Sequence, residues 1–437
     1  MKWINKNKVN FTILFIGIVL IWISSNFNWY REHWRGIIEA DGKGYYAYLP
    51  AMFIYHDLNF GFFDEIEKEK YYSENTYYDY RTYQNGCTLN KYYAGTALAM
   101  MPFFLAGHCY ALLSDHPADG YSAPYAIFIN LAAIFYLLIA CIYMSKLLRL
   151  YNIKESIIIL TIIAFVFGTN IFYYTVSEPA MSHIYSLAFI SAFLYFSKRY
   201  FIKLCSKYML TMAVLSGMIV LIRPVNLIIV AAVPFIAGSF QDLKAVITAK
   251  LRNTGTFVLS LMIIIIIFSL QFIIYKIQTG SFFIYSYKDE GFNFFDPHFT
   301  DFLFSYKKGL FIYTPLAFIS LAGFIYLYRQ SRYQFLTLAG FFIVLIYMLS
   351  SWWNWYYGGS FSSRVFIEYF VLLAILLGIT LENIRNRYLK KAYILLVFLL
   401  IIACQIQTVQ YRYFDIHWSE MTKEKYWDVF MRIDKLI

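Results

Sequence analysis

The side chains best suited to chemistry are two carboxylates two positions apart, Glu39 and Asp41, in the stretch Glu39-Ala40-Asp41-Gly42. A carboxylate can take a proton from a hydroxyl group when a partly desolvated site brings its pKa towards the working pH. Asp41 is equally suited to cap a helix that begins at about Gly44, because Asp accepts hydrogen bonds from the first free N–H groups of a helix. The spacing alone leaves both roles open.

Glu178 and His183 are a second pair of ionisable side chains, in the otherwise apolar stretch 177–183. Ionisable groups at the edge of the hydrocarbon are costly unless they are paired, and they commonly mark functional sites. The alternative is a structural Glu178–His183 pair, with Ser182 as the cap of the helix that follows. The sequence leaves these two interpretations open.

Two arginines are suited to bind an anion. Arg223 follows an apolar run, and Arg364 ends the aromatic and glycine-rich segment that starts at Trp352. The planar guanidinium group donates two parallel hydrogen bonds to a phosphate, although either side chain could instead extend to lipid headgroups. Lys307 and Lys308 could attract an anion as well, or be ordinary solvated lysines of a loop.

Other kinds of chemistry find no support in the sequence. The remaining histidines show no metal-ligand spacing such as HxxxH or HExxH, and neither a Walker loop nor a dinucleotide-binding motif is present. The net charge is +11, but the basic residues are spread over many loops rather than gathered in one basic domain. We therefore predict no nucleic-acid partner.

The composition indicates which elements must position these groups. Of the 437 residues, 60% are hydrophobic and 14% are charged, whereas soluble domains contain about 25% charged residues. The apolar residues form runs long enough to cross a bilayer, which takes roughly 17–25 residues per helix. The first run lacks a good small-residue cleavage site and is predicted to be a retained anchor. The aromatic content of 22% fits belts of Trp and Tyr at the membrane interfaces.

The predicted fold is all-α, a polytopic transmembrane bundle of about eleven spans with the N-terminus inside and the C-terminus outside. The segments assigned to the cytoplasm hold nineteen Lys and Arg residues against three acidic residues, as the positive-inside rule requires. An additional apolar segment, 94–113, is predicted to lie in the outer interface with a kink at Pro102, because a crossing there would place every later basic loop outside. The predicted spans are 11–25, 122–145, 156–175, 183–197, 208–222, 224–240, 255–275, 310–328, 333–351, 365–382 and 392–410.

This topology predicts one transmembrane domain, residues 1–410, and a short outward tail, residues 411–437, which is too short to fold by itself. The first outer loop, about residues 26–122, is the largest and carries interfacial helices. It also carries Glu39 and Asp41, so we predict the site in this loop. Cys87 and Cys109 could form a disulfide if both face an oxidising compartment, and the sequence leaves that question open.

Taken in order, these features resemble the GT-C superfamily of integral-membrane glycosyltransferases, and within it the bacterial relatives of protein O-mannosyltransferases and of the aminoarabinose transferase that modifies lipid A. Members carry an acidic pair of DxD, ExD or DE type in the first outward loop, where this chain has Glu39-Ala40-Asp41. The tail is short where larger members have a soluble outer domain, and segment 92–95 lacks a proline that relatives often have. Further similar blocks are 92–108, 177–183, 221–224 and 355–364.

The resemblance implies a transfer of sugar from a polyprenyl-phosphate-linked donor to a glycan, lipid or protein acceptor at the outer face of the cytoplasmic membrane. Residues 1–410 are then the catalytic domain, with Asp41 as the general base and Glu39 beside it. An ExD pair can hold a divalent metal ion, although many relatives need none, and no cofactor is implied with certainty. The leaving phosphate is implied to be held by Arg364, Arg223 and His183. The implied substrate pocket is formed by Glu178, Tyr45, Tyr46 and Trp355.

Two other classes of function compete with this one. An O-antigen polymerase or ligase also works at the outer face, but its large loop and key arginines are expected later in the chain. A transporter of lipid-linked saccharide commonly has repeated halves and ionisable residues in mid-membrane. Here the largest loop is the first, the candidate charges lie at the outer rim and no halves repeat, which favours the transferase.

Overall fold

The computed structural model describes residues 7–74, 77–84, 86–252 and 254–435. Short 3₁₀ helices span His33–Gly36, Pro224–Ala232, Arg364–Tyr369 and Ile433–Lys435, and a π-helical segment spans Asp64–Lys70. Two strands, β1 (Arg81–Gln84) and β2 (Cys87–Asn90), pair antiparallel with Arg81 opposite Asn90. The α-helices are α1 (Lys8–Phe27), α2 (Asp41–Phe53), α3 (Gly95–Leu112), α4 (Ala123–Leu150), α5 (Glu155–Phe167), α6 (Ile171–Val176), α7 (Ser182–Ile202), α8 (Ser206–Ile222), α9 (Val233–Ala237), α10 (Phe240–Arg252), α11 (Gly255–Thr279), α12 (Phe299–Phe304), α13 (Leu310–Tyr313), α14 (Pro315–Ser320), α15 (Gly323–Gln330), α16 (Arg332–Ser350), α17 (Phe370–Asn383), α18 (Arg387–Arg412) and α19 (Lys423–Val429).

The chain is a multi-pass, all-α membrane protein, as predicted. Within the described residues, seven helical stretches are long and apolar enough to cross a membrane, and an eighth qualifies if Pro224–Ala237 and Phe240–Thr248, which meet at a bend of 113°, form one span. The seven are α1, α3, α4, α11, α16, α18 and the continuous stretch Arg364–Asn383.

Each of the eleven predicted spans contains helix, but several of them are short or interrupted. The segment 156–175 is broken between α5 and α6, and 310–328 consists of α13, α14 and α15. Pro315 is the first residue of α14, a position that suits proline because the N–H it lacks would have no partner there. The count of eleven crossings therefore stays a prediction, whereas the helical bundle is confirmed.

Helix α3 corresponds to the segment that we predicted to lie in the interface. It runs unbroken through Pro102 for 18 residues, and it qualifies as a span by length and composition. Its first residue, Gly95, lies so close to the end of α8 that a Cβ there would be 2.3 Å from the backbone N of Ile222. This close approach fixes the start of α3 next to Arg223.

The most deeply buried helix is α17. All residues of 365–381 are buried, and α17 packs against α5 and α15. By contrast, only 11% of the most apolar part of α11 is buried, and large side chains such as Ile265 and Ile266 are exposed on its surface. A helix that is apolar on all sides is stable either inside a protein or against hydrocarbon. Helix α17 is an example of the first case and α11 of the second.

The first loop, residues 26–122, is packed rather than solvated. The Tyr48 hydroxyl donates to the Tyr92 carbonyl at 2.7 Å. Buried Glu67 accepts hydrogen bonds from the Tyr80 and Tyr121 hydroxyls at 2.7 and 2.9 Å. These bonds connect α2 to the segment after β2, and the π-helical segment Asp64–Lys70 to the segments before β1 and before α4. The two cysteines of this loop are Cys87 in β2 and Cys109 in α3. Within the described residues, no disulfide joins them.

The tail packs back onto the last helix. The Gln407 side-chain amide donates to the Tyr426 hydroxyl at 2.8 Å, and that of Gln410 donates to the Val429 carbonyl at 2.5 Å. Tyr426 and Val429 are buried. Helix α19 is thereby attached to α18.

Candidate active site

A cavity of about 830 Å³ opens between the first loop, the segments 285–292 and 352–365, and the residues at and after the end of α18. Seven of the nine predicted site residues line it. They are Glu39, Asp41, Tyr45, Glu178, His183, Arg223 and Arg364. The fold thus gathers these side chains from four distant parts of the chain into one site.

Asp41 is the first residue of α2, three positions earlier than predicted. The preceding residue, Ala40, has a φ of +46°, a strained conformation for a residue with a Cβ and one often found at functional sites. The N-cap residue is Ala40, and among the described residues no backbone N–H of the helix donates to the Asp41 carboxylate. The helix-cap interpretation is therefore wrong, because the carboxylate turns away from the helix towards stronger partners.

Those partners are Tyr92 and Arg364. The Tyr92 hydroxyl donates to Oδ1 at 2.6 Å, and Nη2 of Arg364 donates to Oδ2 at 2.5 Å. Burial opposes ionisation of Asp41, but the adjacent guanidinium of Arg364 and the Tyr92 hydrogen bond outweigh it, and the pKa of Asp41 lies below its ordinary value. The carboxylate is therefore charged at neutral pH and bound by a cation.

Arg364 begins the 3₁₀ turn that leads into the buried helix α17. Its Nη1 lies 3.7 Å from the sulfur of Met181, and its side chain is only 10% exposed. A buried guanidinium needs a charged partner. Asp41 is that partner here, and Arg364 does not extend to the lipid headgroups.

Arg223 and His183 share one carboxylate that the sequence did not indicate. Glu368, four residues after Arg364 on the same 3₁₀ turn, is fully buried. Its Oε1 accepts from Nη1 of Arg223 at 2.6 Å and from Nδ1 of His183 at 3.0 Å. A structural Glu178–His183 pair is therefore wrong, and Ser182 makes no capping bond because α7 begins at Ser182 itself.

Glu39 and Glu178 form an acidic region of the cavity wall. Oε1 of Glu178 accepts from the Tyr173 hydroxyl at 2.9 Å, while Oε2 is buried and without a partner in the part of the chain that the structure describes. Burial raises the pKa of Glu39, and the nearby Glu178 raises it further. Burial likewise raises the pKa of Glu178, although Arg364 opposes that shift. These two carboxyls therefore hold protons to a higher pH than exposed glutamates do.

The three predicted aromatic residues have different positions. Tyr45 lines the cavity with its ring centroid 4.7 Å from that of Tyr92. Tyr46 does not line it, since its hydroxyl donates to the Gly120 carbonyl on the face of α2 that meets α3. Successive residues of a helix point about 100° apart, so Tyr45 and Tyr46 cannot both face the cavity. Trp355 does not line it either, and stacks on His298.

Sequence reasoning missed several residues of the wall. Lys91 pairs with Glu290 at 2.6 Å, which joins the first loop to the segment 285–292. Nη1 of Arg412 donates to the Ser177 hydroxyl at 3.0 Å. Tyr92 lies in the block 92–108 that resembles the superfamily, and Lys91 lies directly before it. Nothing in the sequence singled out Glu368.

The lysine pair 307–308 does not line the cavity. Lys308 is buried, donates to the Ser360 carbonyl and lies over the ring of Tyr411. Burial lowers its pKa to about 7. Lys308 is therefore not a solvated loop lysine. Among the described residues, those of the cavity included, no three His, Cys, Asp or Glu side chains are arranged to hold a metal ion.

Comparison with known proteins finds a likeness in fold but none in sequence. No profile of a known protein family matches the chain, and neither does any curated protein sequence. The fold is similar to that in the crystal structure of ArnT from Cupriavidus metallidurans bound to undecaprenyl phosphate, with a TM-score of 0.54 and 13% identity. The fold is GT-C-like. The likeness covers 92% of this chain but 65% of the ArnT chain, and at this identity it concerns the fold alone.

Proposed function

We propose that this protein is a glycosyltransferase that moves a sugar from a polyprenyl-phosphate donor to an acceptor at the outer face of the cytoplasmic membrane. The observation that carries the proposal is the pairing of Asp41 with Arg364 inside a cavity that Arg223 also lines. A carboxylate and two guanidinium groups are the parts needed to remove a proton from an acceptor and to hold a phosphate. ArnT, whose fold is similar, was crystallised bound to undecaprenyl phosphate.

Donor binding would change the partner of Arg364. The phosphodiester of an arriving donor carries one negative charge and two free oxygens, as a carboxylate does, and therefore competes with Asp41 for the Arg364 guanidinium. Asp41 then loses the cation that lowers its pKa and becomes a stronger base. Binding of the donor thereby prepares the base.

The transfer step balances as a single displacement. The acceptor hydroxyl gives its proton to Asp41, its oxygen bonds to the anomeric carbon, and the bond from that carbon to the phosphate oxygen breaks. The electron pair leaves with the polyprenyl phosphate, where Arg364 and Arg223 stabilise the growing charge. Glu39 and Glu178, which hold protons more readily than exposed glutamates, orient the acceptor as hydrogen-bond donors.

The charge pattern supports the location. Basic residues concentrate in alternate loops, a pattern that favours a topology with the N-terminus inside and the cavity outside. We assign catalysis to residues 1–410. The tail, 411–437, adds part of the cavity wall, because Arg412, Phe414 and Trp418 line the cavity.

The test is sugar transfer by the purified protein in phosphatidylethanolamine and phosphatidylglycerol vesicles. Each of a panel of undecaprenyl-phosphate sugars, labelled in the sugar, is supplied with a cell-envelope extract, and free undecaprenyl phosphate and labelled product are measured. We expect one donor to react, and Asp41→Asn to lower the rate by about 10²–10⁴. Asp64→Asn, an exposed carboxylate of the same loop, is the matched control and keeps full activity.

Full transfer by Asp41→Asn would contradict its role as the base. Movement of labelled lipid or saccharide across the vesicle without a new glycosidic bond would instead identify a transporter.

A further inference from the structure

The hydrogen bonds of Glu368 determine which ring nitrogen of His183 carries the proton. A carboxylate oxygen only accepts hydrogen bonds. Because Oε1 of Glu368 lies 3.0 Å from Nδ1 of His183, that nitrogen must be the donor. Glu368 is fully buried and His183 nearly so, hence water does not compete for this bond.

The imidazole of His183 is held in its neutral form by its neighbours. Nη1 of Arg223 lies 3.4 Å from Nδ1, and Arg364 lines the same cavity. A third positive charge between two guanidinium groups is unfavourable, and the single charge of Glu368 is already shared with Arg223. A neutral ring with its proton on Nδ1 has a lone pair on Nε2.

Nε2 of His183 is a hydrogen-bond acceptor in this tautomer, whereas a side chain that binds a phosphate must be a donor. The His183 ring lines the cavity, and Nε2 has no hydrogen-bond partner among the described residues. A lone pair repels phosphate oxygens, which are acceptors themselves, but it accepts a hydrogen bond from an O–H group. The assignment of His183 to the phosphate therefore conflicts with the geometry.

We propose that His183 recognises a substrate hydroxyl, whose hydrogen bond it accepts at Nε2, while Glu368 fixes the ring in the tautomer that permits this. The inference rests on the proposed function and adds a recognition element to the same cavity. The hydroxyl belongs either to the donor sugar or to the acceptor. Arg223 and Arg364 are left as the phosphate ligands.

The test uses two isosteric replacements of His183 in the full-length protein. His183→Asn keeps an amide N–H near the position of Nδ1, which preserves the bond to Glu368, but has nothing at the position of Nε2. His183→Gln places an amide oxygen near Nε2. Binding of undecaprenyl phosphate, binding of the undecaprenyl-phosphate sugar that supports transfer, and the transfer rate are measured for each, with thermal unfolding as the check on folding.

We expect His183→Asn to bind undecaprenyl phosphate as the unsubstituted protein does, and to lose roughly tenfold to hundredfold in transfer efficiency. His183→Gln recovers most of that loss. Weaker binding of the sugar-bearing lipid by His183→Asn assigns the hydroxyl to the donor sugar, while unchanged binding with slower transfer assigns it to the acceptor. Either pattern supports the proposal.

Two results would overturn it. If His183→Asn transfers at the full rate, Nε2 recognises nothing, and if this variant loses undecaprenyl phosphate itself, His183 serves the phosphate or the fold. If the unsubstituted protein fails to bind undecaprenyl phosphate, the proposed donor class is wrong, and this inference falls with it. That result is distinguishable from the other two because it is seen without any substitution.

Discussion

Asp41→Asn is expected to bind undecaprenyl phosphate more tightly than the unsubstituted protein, while it transfers sugar about 10²–10⁴ times more slowly. The Asp41 carboxylate accepts a hydrogen bond from Nη2 of Arg364 at 2.5 Å. A phosphate that approaches Arg364 must displace or share this contact. The asparagine keeps the size of the side chain and can still accept from the Tyr92 hydroxyl, but it no longer competes as an anion.

The magnitude follows from the geometry of the pair. Both side chains are mostly buried, with exposures of 10% for Arg364 and 24% for Asp41, so the contact is little screened by solvent. A hydrogen bond to a charged group contributes about 1.5–3 kcal/mol net. If the phosphate no longer has to disrupt this hydrogen bond, the dissociation constant of undecaprenyl phosphate falls by roughly tenfold to hundredfold, since each 1.4 kcal/mol is about a factor of ten.

The assay is a titration of the protein in detergent micelles with undecaprenyl phosphate, followed by intrinsic tryptophan fluorescence. Undecaprenol, which lacks the phosphate, serves as the neutral lipid, and its affinity should not respond to the substitution. Glu39→Gln is the matched protein control. Burial and the neighbouring Glu178 raise the pKa of Glu39, so the control removes little negative charge and should change the affinity by less than about threefold.

An unchanged or weaker affinity of Asp41→Asn for undecaprenyl phosphate would refute the reasoning. In that case Arg364 would not be the phosphate ligand, and its pairing with Asp41 would serve the fold. A gain that appears equally with undecaprenol would also refute it, because the effect would then be independent of the phosphate charge.

Two further predictions concern stability. Folding raises the pKa values of Glu39 and Glu178, so the folded protein binds more protons than the unfolded chain, and its stability decreases as the pH rises from about 5 to about 8. Thermal unfolding measured over this pH range should show the decrease, and Glu178→Gln should make it smaller. An equal decrease in the variant would contradict the raised pKa of Glu178. Gly95→Ala should lower the unfolding temperature, because the new Cβ would lie 2.3 Å from the backbone N of Ile222, at a cost of about 1–3 kcal/mol. Gly340→Ala, which meets nothing within 4 Å, is the control, and equal effects of the two would disprove the close approach.

Local hydrophobicity was enough to predict the helical bundle. A run of apolar residues that crosses a bilayer must satisfy its own backbone hydrogen bonds, and a helix does so within the run itself. For this reason each predicted span contains helix. The breaks inside 156–175 and 310–328 were not predicted, since they depend on how neighbouring helices pack. At Gly168, for example, an added Cβ would lie 3.1 Å from the Ile401 side chain and 3.3 Å from that of Leu316.

The candidate site was predicted in part because charges in an apolar sequence are conspicuous. Asp41, Arg364, Arg223 and His183 stood out by residue type and setting, and all four line the cavity. Tyr46 and Trp355 were expected in the pocket on the basis of the resemblance, and they do not line it, because the direction of a side chain depends on the helix face and on the path of the loop.

The sequence by itself determined that this chain crosses a membrane and which ionisable residues its apolar environment must accommodate. Only the tertiary structure decided their partners. Asp41 and Arg364 are 323 positions apart, and His183 and Glu368 are 185 apart. Spacing at such distances carries no geometric information, since the packing of many helices intervenes. The pairing of each buried charge is therefore a property of the folded bundle, and so is the division of the cavity between phosphate-binding and hydroxyl-binding groups that we propose.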